Sequence, residues 1–306
     1  MSLALSTSVI IPTYQKLERL RLVLEAFRLQ TLAVERFEII VVDDGSSDGT
    51  REWLASVGFP FSFRWIRQKH QGRSSARNAG TAASQHPVLV FCDDDTLPHP
   101  RYLEAHLFEH GQDQRLAVHG RIYSLPYLKF FRDPATGQPY DGQRPIDPQS
   151  PLHQLLLAGS PQTVLLQAER QKKLALLERQ IEEILGTRNH PLTWLGFTGG
   201  NVSIRRAVLE EVGGFDRQFG LLWGGEDLEL GYRLVGRGVA IRDAQAAACY
   251  HINHYRPSYR EELGQSVQLF FDKHPDPLVR HLAALLLGEI EDPAAYVRAA
   301  RAETRC

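Results

Sequence analysis

The sequence has few cysteines, no long apolar run and no excess of either charge. Its three cysteines, Cys92, Cys249 and Cys306, lie far apart in a chain of 306 residues. Their spacing fits no zinc site and their odd number argues against a disulfide framework, so we expect a reducing cytoplasmic environment. No apolar run reaches the roughly 18 residues needed to cross a bilayer, and the N-terminus lacks the pattern of a secretion signal. We therefore predict neither secretion nor a transmembrane segment, and leave peripheral contact with the inner face of the membrane open.

The charges are balanced, with 35 Lys and Arg against 36 Asp and Glu and a net charge of -1. Such a chain has no overall field that attracts nucleic acid, so we expect no nucleic-acid partner and only local phosphate recognition. Hydrophobic residues make up 43% of the chain, which is enough for a sizeable core and argues against disorder.

Short apolar runs alternate with helix-period segments in the first part of the chain. This pattern predicts βαβ units, and hence an α/β fold with a mostly parallel sheet flanked by helices. Strands are predicted at Ser8–Ile11, Glu38–Val42, Phe61–Ile66, Val88–Cys92 and Leu116–Gly120, with a helix at Ser74–Ser84.

The second half departs from this repeat. Residues 122–151 are rich in Pro, Gly and Asp and predict an irregular excursion, which continues to Pro191 as a helical insertion. Within it, residues 162–185 carry an apolar stripe at helical spacing that includes Leu177 and Ile181. We expect the stripe to pack against the main domain or a second subunit; contact with an acceptor or a membrane surface is the alternative.

The domain prediction follows from this division. Residues 7–255 are predicted to form one α/β domain, with 122–191 as an insertion. Residues 256–306 carry leucines at helical spacing and predict a helical extension with no chemistry of its own.

Polar residues follow the first two predicted strands. The first strand runs into Pro12, Thr13 and Tyr14, and the second into Asp43 and Asp44. In an open parallel sheet, ligands bind outside the carboxyl ends of the strands. An aspartate there can accept hydrogen bonds from a uracil ring or a sugar hydroxyl, and Tyr14 offers an aromatic face to a base. The alternative for such an aspartate is a turn or a helix cap.

The fourth predicted strand ends in three consecutive acids, Asp93, Asp94 and Asp95. Adjacent carboxylates repel one another, and burying them at a sheet edge is costly without a cation. Mg²⁺ or Mn²⁺ binds hard oxygen ligands and would bridge these carboxylates to a diphosphate leaving group. The alternative is a solvated acidic turn before Pro98.

Two glycine-containing segments lie downstream, at Phe197–Asn201 and Trp223–Asp227. Their glycines are expected where the backbone passes close to another group. Glu226 and Asp227 precede a predicted helix at Leu228–Val235, so they are either catalytic acids or charges favoured by the helix dipole.

Two histidines, His251 and His254, follow a later apolar run. A single histidine is usually structural, whereas one near an acidic metal site is a candidate ligand. Both roles stay open for these residues.

Taken together, these segments resemble the family-2 glycosyltransferases of GT-A fold. The matching segments are Val9–Tyr14, Val41–Thr50, Gly72–Gly80, Asp93–Asp95, Gly199–Asn201 and Trp223–Asp227. Each motif is modest alone, but the full set in the family's order over residues 7–255 is highly specific. The resemblance implies that residues 7–255 form the catalytic domain, with the insertion at 122–191 on the acceptor side. The segment from Trp223 to Glu229 is particularly similar to galactosyl- and N-acetylgalactosaminyl-transferring members.

The resemblance implies a role for most of these residues. The nucleotide-sugar pocket would include Pro12, Thr13, Tyr14, Asp43, Asp44, Arg77, Asn78, Asp93, Asp94, Gly200, Asn201 and Trp223. Asp93 and Asp95 correspond to the family's metal–diphosphate motif, and His251 would complete the Mn²⁺ or Mg²⁺ site. Asp227 corresponds to the catalytic base, with Glu226 as the second candidate. The implied reaction transfers a hexose from a UDP-sugar to a glycan or other hydroxyl acceptor with inversion, in polysaccharide biosynthesis.

The motifs also argue against other classes of protein. Processive membrane synthases of the family carry a Gln-x-x-Arg-Trp motif, but here Phe61 stands where the Gln would precede Arg64-Trp65. A nucleotidyltransferase usually opens with a basic Gly-rich loop, unlike Pro12–Gln15. A catalytically inactive nucleotide-sugar-binding module is the remaining alternative, and the presence of both Asp95 and Asp227 argues against it. The choice of sugar and acceptor and a homo-oligomeric state stay open.

Overall fold

The secondary structure alternates strands and helices. The computed structural model describes residues 5–125, 161–252 and 258–302. Within those ranges the strands are Thr7–Thr13 (β1), Phe37–Asp43 (β2), Ser62–Arg67 (β3), Val88–Cys92 (β4), Thr96–Pro98 (β5), Leu116–Leu125 (β6), Lys173–Leu174 (β7), Asn201–Arg205 (β8) and Ala240–Ile252 (β9). The helices are Leu17–Phe27 (α1), Thr50–Ser56 (α2), Arg73–Ala83 (α3), Tyr102–Gln112 (α4), Pro161–Gln171 (α5), Leu176–Gly186 (α6), Arg206–Glu211 (α7), Glu226–Gly236 (α8), Tyr259–Lys273 (α9), Pro277–Arg280 (α10), Leu282–Leu286 (α11) and Pro293–Ala302 (α12).

The described strands form one sheet in the order β3-β2-β1-β4-β8-β6-β9-β5, and β7 pairs with β6. β3, β2, β1 and β4 are parallel neighbours, as predicted. β8 runs antiparallel to β4 and β6, and β5 antiparallel to β9, whereas β6 and β9 are parallel, so the second half of the sheet is mixed and not mostly parallel. The reason is that β8 enters the sheet from the opposite end, with Asn201 paired to Cys92. This pairing brings Gly199 and Gly200 to the edge that carries the acidic triplet.

Helices cover both faces of the sheet. α1, α4 and α5 share one buried cluster with β1, β2 and β4, whereas α3, α7 and α8 pack on the other face. All five residues of β4 are buried, as expected for a strand covered on both faces. The core therefore lies in two layers around a central sheet, and the polar strand ends are left at its edge.

The insertion is more regular than the sequence predicts. β6 continues to Leu125, and the helix expected at 162–185 is divided into α5 and α6, because β7 pairs with Tyr123 and Ser124 of β6. Ile181 and Ile184 of α6 are 0% exposed. The protein itself thus covers these two residues of the apolar stripe, whereas Leu174, Leu177 and Leu185 are only half-buried, and acceptor or membrane contact through the stripe stays a prediction. Residues 126–160 lie outside the described residues.

The C-terminal extension is helical, as predicted. Leu263, Val267 and Phe270 of α9 belong to one buried cluster with Trp194 and with Leu228 of α8. Their packing attaches the extension to the helix that begins with Glu226 and Asp227.

Cys92 and Cys249 are buried free thiols, and Cys306 lies outside the described ranges. None of the helices described is long and apolar enough to span a bilayer.

Candidate active site

The carboxyl ends of β1, β2 and β4 bring three predicted motifs together. Thr13 Oγ1 donates a hydrogen bond to Asp94 Oδ2 over 2.7 Å. The backbone N–H of Asp44 donates to the Thr13 carbonyl over 2.9 Å. Pro12, just before Thr13, is buried in β1. The strand ends therefore form one continuous polar edge.

Asp44 organises the loop that follows β3. Its carboxylate makes four hydrogen bonds of 2.7 to 3.0 Å, with Gln68 Nε2, His70 Nδ1 and the backbone N–H groups of Gln71 and Gly72. Because all four partners lie in one short segment, the Asp44 side chain ties this loop to the end of β2.

An aromatic stack and an unsatisfied carboxylate oxygen lie beside that loop. Tyr14 stacks on His70 with ring centroids 3.8 Å apart and keeps 37% of its surface exposed. Asp43 Oδ1 accepts the N–H of Ser46, whereas its buried Oδ2 accepts no hydrogen bond from the described residues, Arg67 Nε being 3.5 Å away. Buried acceptors are normally satisfied. Asp43 Oδ2 is therefore a candidate acceptor for a ligand.

Protein cations neutralise the acidic triplet. Lys16 Nζ lies 3.1 Å from Asp94 Oδ1 and 2.8 Å from Asp95 Oδ2, and Arg19 Nη1 is 3.7 Å from the latter oxygen. Burial opposes the charge of Lys16, but the two aspartates outweigh it and raise the pKa of Lys16. The premise that a metal must neutralise this triplet is therefore wrong. A solvated turn is also wrong, since Asp94 and Asp95 are only 4% and 2% exposed.

His251 and Asp95 meet at the sheet edge. β5 pairs with β9 so that Thr96 lies opposite His251, and His251 Nε2 is 3.6 Å from Asp95 Oδ1. Two ligand atoms at this separation suit a shared divalent cation with bonds of about 2.0–2.2 Å. In the part of the chain that the structure describes, no three His, Cys, Asp or Glu side chains converge as a ready ligand set. The pair therefore fits a cation that takes further oxygens from a substrate phosphate. His254 lies outside the described residues.

Arg77 links two acidic segments that are distant in sequence. Its buried guanidinium places Nη1 2.7 Å from Glu226 Oε1 and Nη2 3.0 Å from Asp93 Oδ1. Arg73 Nη1 is 3.7 Å from the same Glu226 oxygen. Burial alone would raise the pKa of Glu226, but Arg73 and Arg77 hold it below its usual value. Glu226 is therefore an ionised partner of two arginines, and Asp93 belongs to their network.

Asp227 differs from its neighbour. Its two oxygens accept the backbone N–H groups of Gly199 and Leu228 over 2.8 and 2.9 Å. Among the residues described, no Lys or Arg lies within ion-pair distance of it. Burial and the negative charge of Glu226 raise the pKa of Asp227 to about 6. A half-buried carboxylate with a raised pKa is suited to accept a proton near neutral pH.

The glycines beside this network are required by close contacts. A Cβ on Gly199 would lie 2.4 Å from Arg77 Nη2, and one on Gly200 would lie 3.0 Å from Asp93 Oδ2. The expectation that these glycines allow a close approach is confirmed.

Two predicted ligand residues make contacts that hold the fold together. Asn201 is 0% exposed; its Oδ1 is 2.9 Å from His106 Nε2, and its Nδ2 donates to the Ala247 carbonyl over 2.8 Å. A donor contact by the Asn201 side chain is excluded by this burial. The Asn78 amide both donates to and accepts from the backbone of Phe215, which fixes α3 against the following loop. The position of a polar residue near a glycine motif in the sequence does not show whether its side chain points into the site or into the interior of the fold.

Trp223 lies between residues from two other elements. The guanidinium of Arg73 is 5.6 Å from its ring centroid, and the ring of Tyr259 is 4.7 Å away. Tyr259 belongs to α9, so the extension reaches the candidate site; that the extension has no chemistry of its own stays a prediction.

Four residues of the site were not predicted from the sequence: Lys16, Arg19, Arg73 and Tyr259. Arg19, Arg73 and Tyr259 lie on helices and Lys16 directly precedes α1, and each contacts a partner far away in the chain. The only local signal was the position of Lys16 directly after Pro12–Gln15.

Comparison with protein families identifies the class of this chain. Residues 8–213 match the model described as glycosyl transferase family 2, and residues 183–255 match the one described as the N-terminal domain of galactosyltransferase. Because the first match covers more than half of the sequence, the chain belongs to glycosyl transferase family 2.

Individual relatives are consistent with this membership. A validoxylamine A glucosyltransferase from Streptomyces hygroscopicus subsp. jinggangensis is 32% identical over 89% of this chain and 61% of its own length. A chondroitin synthase from Escherichia coli is 28% identical over 80% of this chain and 34% of its own length. The chain therefore spans only part of both relatives.

A solved structure shows the same fold. A mannosyltransferase from Pyrobaculum calidifontis, in complex with GDP-Man and Mn²⁺, superposes with a TM-score of 0.59 at 19% identity, covering 98% of this chain and 76% of that one. The predicted GT-A type fold is confirmed.

Proposed function

We propose that the chain transfers a hexose from a UDP-sugar to a hydroxyl group of a glycan or similar acceptor, with inversion at the anomeric carbon. The observation that carries this proposal is the charge distribution at one sheet edge. Asp94, Asp95 and Glu226 each pair with Lys or Arg, whereas Asp227 is bound by backbone N–H groups. Family membership and the names of the two relatives support sugar transfer.

In the proposed reaction Asp227 removes the proton of the acceptor hydroxyl as that oxygen attacks the anomeric carbon. The N–H groups of Gly199 and Leu228 fix the carboxylate plane, and each occupies only one lone pair of its oxygen. Burial and the charge of Glu226, which Arg77 holds in place, raise the pKa of Asp227 to about 6, so that at pH 7 the base is largely ionised and still basic enough to take a proton. Because the acceptor displaces the leaving group in one step, the configuration inverts.

Asp95 and His251 are the residues that would hold Mn²⁺ or Mg²⁺. Such a cation neutralises the diphosphate leaving group when bound. Lys16 binds Oδ2 of Asp95, and Oδ1 lies on the side of His251. The Mn²⁺ in the mannosyltransferase complex supports this proposal. Asp93, with one oxygen on Arg77, remains a proposed contact to the donor.

The nucleoside is proposed to bind at the first two strand ends. Tyr14 offers a partly exposed ring, and the buried Oδ2 of Asp43 lacks a hydrogen bond from the described residues. An N–H group of a base is a suitable donor to that oxygen. Residues 7–255 are the proposed catalytic domain, and residues 256–306 are its proposed extension. The proposed location of the protein is the cytoplasm.

A screen of nucleotide sugars by hydrolysis and thermal shift, with and without Mn²⁺, tests this function. UDP-sugars should raise the melting temperature modestly alone and substantially with Mn²⁺, and the Asp95→Asn variant should lose the Mn²⁺-dependent part. Stabilisation that is equal with and without Mn²⁺ would contradict the metal assignment. Stabilisation by GDP-sugars alone would contradict the choice of uridine. Binding without hydrolysis or transfer in any donor and acceptor pair would favour the inactive binding module.

A further inference from the structure

Helix α9 packs directly on the segment that carries the proposed base. Ser266 Oγ donates a hydrogen bond to the Trp223 carbonyl over 2.9 Å, and Ser266 is 0% exposed. A Cβ on Gly225 would lie 3.1 Å from the Ser266 Cβ, so the helix and this segment are in close contact. The ring of Tyr259 meets the ring of Trp223 at 4.7 Å.

These contacts come from one face of α9. Tyr259, Leu263, Ser266 and Phe270 follow helical spacing, and Leu263 and Phe270 are buried in the cluster that contains Leu228. The same face therefore contacts the segment before Asp227 and the helix after it.

The segment needs an external restraint because it contains two glycines in sequence. Gly224 and Gly225 have φ angles of 75° and 83°, in the left-handed region. Glycine has more backbone freedom than any other residue, so fixing such a pair costs more conformational entropy. Ser266 binds the carbonyl immediately before the pair, and Leu228 anchors the chain after it.

We propose that α9 sets the position of the proposed base: Ser266 and Tyr259 are positioning residues that hold the Trp223–Asp227 segment in the arrangement required for transfer to the acceptor. This inference rests on the proposed function. The contacts of α9 are made with the segment of Asp227, whereas Asp44 and Asp95 are held by the loop after β3 and by α1. Changes in α9 should therefore spare the binding of UDP and Mn²⁺ and lower turnover.

The test compares Ser266→Ala with Gln265→Ala, an exposed neighbour on the same helix, by hydrogen exchange, donor binding and turnover. Ser266→Ala should speed amide exchange in the peptide containing residues 223–228 and lower turnover roughly 10- to 100-fold, because small misplacements of reacting groups are costly. The thermal shift with UDP and MnCl₂ should match that of the parent protein. Gln265→Ala should behave like the parent protein in all three measurements.

Tyr259 offers a second, independent variant. Tyr259→Phe keeps the ring that contacts Trp223 and should retain parental turnover, whereas Tyr259→Leu should lose turnover to a degree similar to Ser266→Ala. Unchanged exchange at residues 223–228 together with parental turnover in Ser266→Ala and Tyr259→Leu would overturn the inference. So would a loss of UDP and Mn²⁺ binding in proportion to the loss of turnover, since that indicates general destabilisation.

The two proposals fail in different ways. If Asp227→Asn keeps its turnover, the base assignment is wrong whatever α9 does. If Asp227→Asn is inactive while the α9 variants exchange and turn over like the parent protein, only the inference about α9 is wrong.

Discussion

Two acidic regions meet at the edge of the sheet; Arg77 pairs with a carboxylate of each, but their other cations differ. In the triplet after β4, Lys16 and Arg19 lie against Asp94 and Asp95. In the pair at the start of α8, Arg73 and Arg77 both contact Glu226, while Asp227 has backbone partners. Glu226 and Asp227 are neighbours in the sequence and are both acidic. The placement of the cations makes Glu226 an ion-pair partner, whereas Asp227 is bound by backbone N–H groups.

The largest expected effect follows from removing the carboxylate of Asp227, which forms no ion pair with a Lys or Arg among the described residues. Asp227→Asn keeps the side-chain volume but removes the group that accepts the proton, so kcat should fall about 10²- to 10⁴-fold. The thermal shift with UDP and Mn²⁺ should persist, which separates this variant from Asp95→Asn. Turnover above roughly a tenth of the parental value would contradict the base assignment and make Glu226 the next candidate.

Removing Lys16, a cation of the acidic triplet, should have an intermediate effect. Lys16→Met leaves Asp94 and Asp95 with less counter-charge, so the free energy of unfolding without metal should fall by about 1–3 kcal/mol. Added MnCl₂ and UDP should then stabilise the variant more than the parent protein, because Mn²⁺ replaces part of the lost charge.

Two variants control that measurement. Lys16→Arg keeps the charge and should resemble the parent protein, and Lys69→Met removes an exposed lysine and should change little. An equal Mn²⁺-dependent shift in Lys16→Met and the parent protein would show that Lys16 does not neutralise the triplet.

The smallest expected effect is on the pH dependence. Asp227 must be ionised to accept a proton, so kcat/KM should fall as the pH drops through its pKa of about 6. Glu226→Gln removes a neighbouring negative charge that raises this pKa, so the acidic limb should move to lower pH by about half to one unit. A limb that stays in place or moves to higher pH would contradict the assigned coupling.

The donor side of the fold could be predicted from the sequence because its signals are local. β1, β2 and β4 are apolar runs that end directly in polar residues, and their parallel order follows from the βαβ pattern. The three-residue strand β5 is too short to produce such a pattern, although it carries the pairing that brings His251 to Asp95.

The charge network could not be predicted, because its partners are distant in sequence. Lys16 is 79 residues from Asp95, and Arg77 is 149 residues from Glu226. The direction of β8 also depends on its long-range pairing with β4 and not on local periodicity. Sequence reasoning therefore located Asp227 through its motif but gave no physical reason to separate it from Glu226.

The most direct test of the account is the ionisation of Asp227 itself. Carbon NMR of protein labelled at the aspartate side-chain carboxyl, recorded as a function of pH, should show one resonance that titrates near pH 6 and is absent in Asp227→Asn. If that resonance persists in Asp227→Asn, or if no aspartate titrates near pH 6, the assignment of Asp227 as the carboxylate that accepts the proton is wrong.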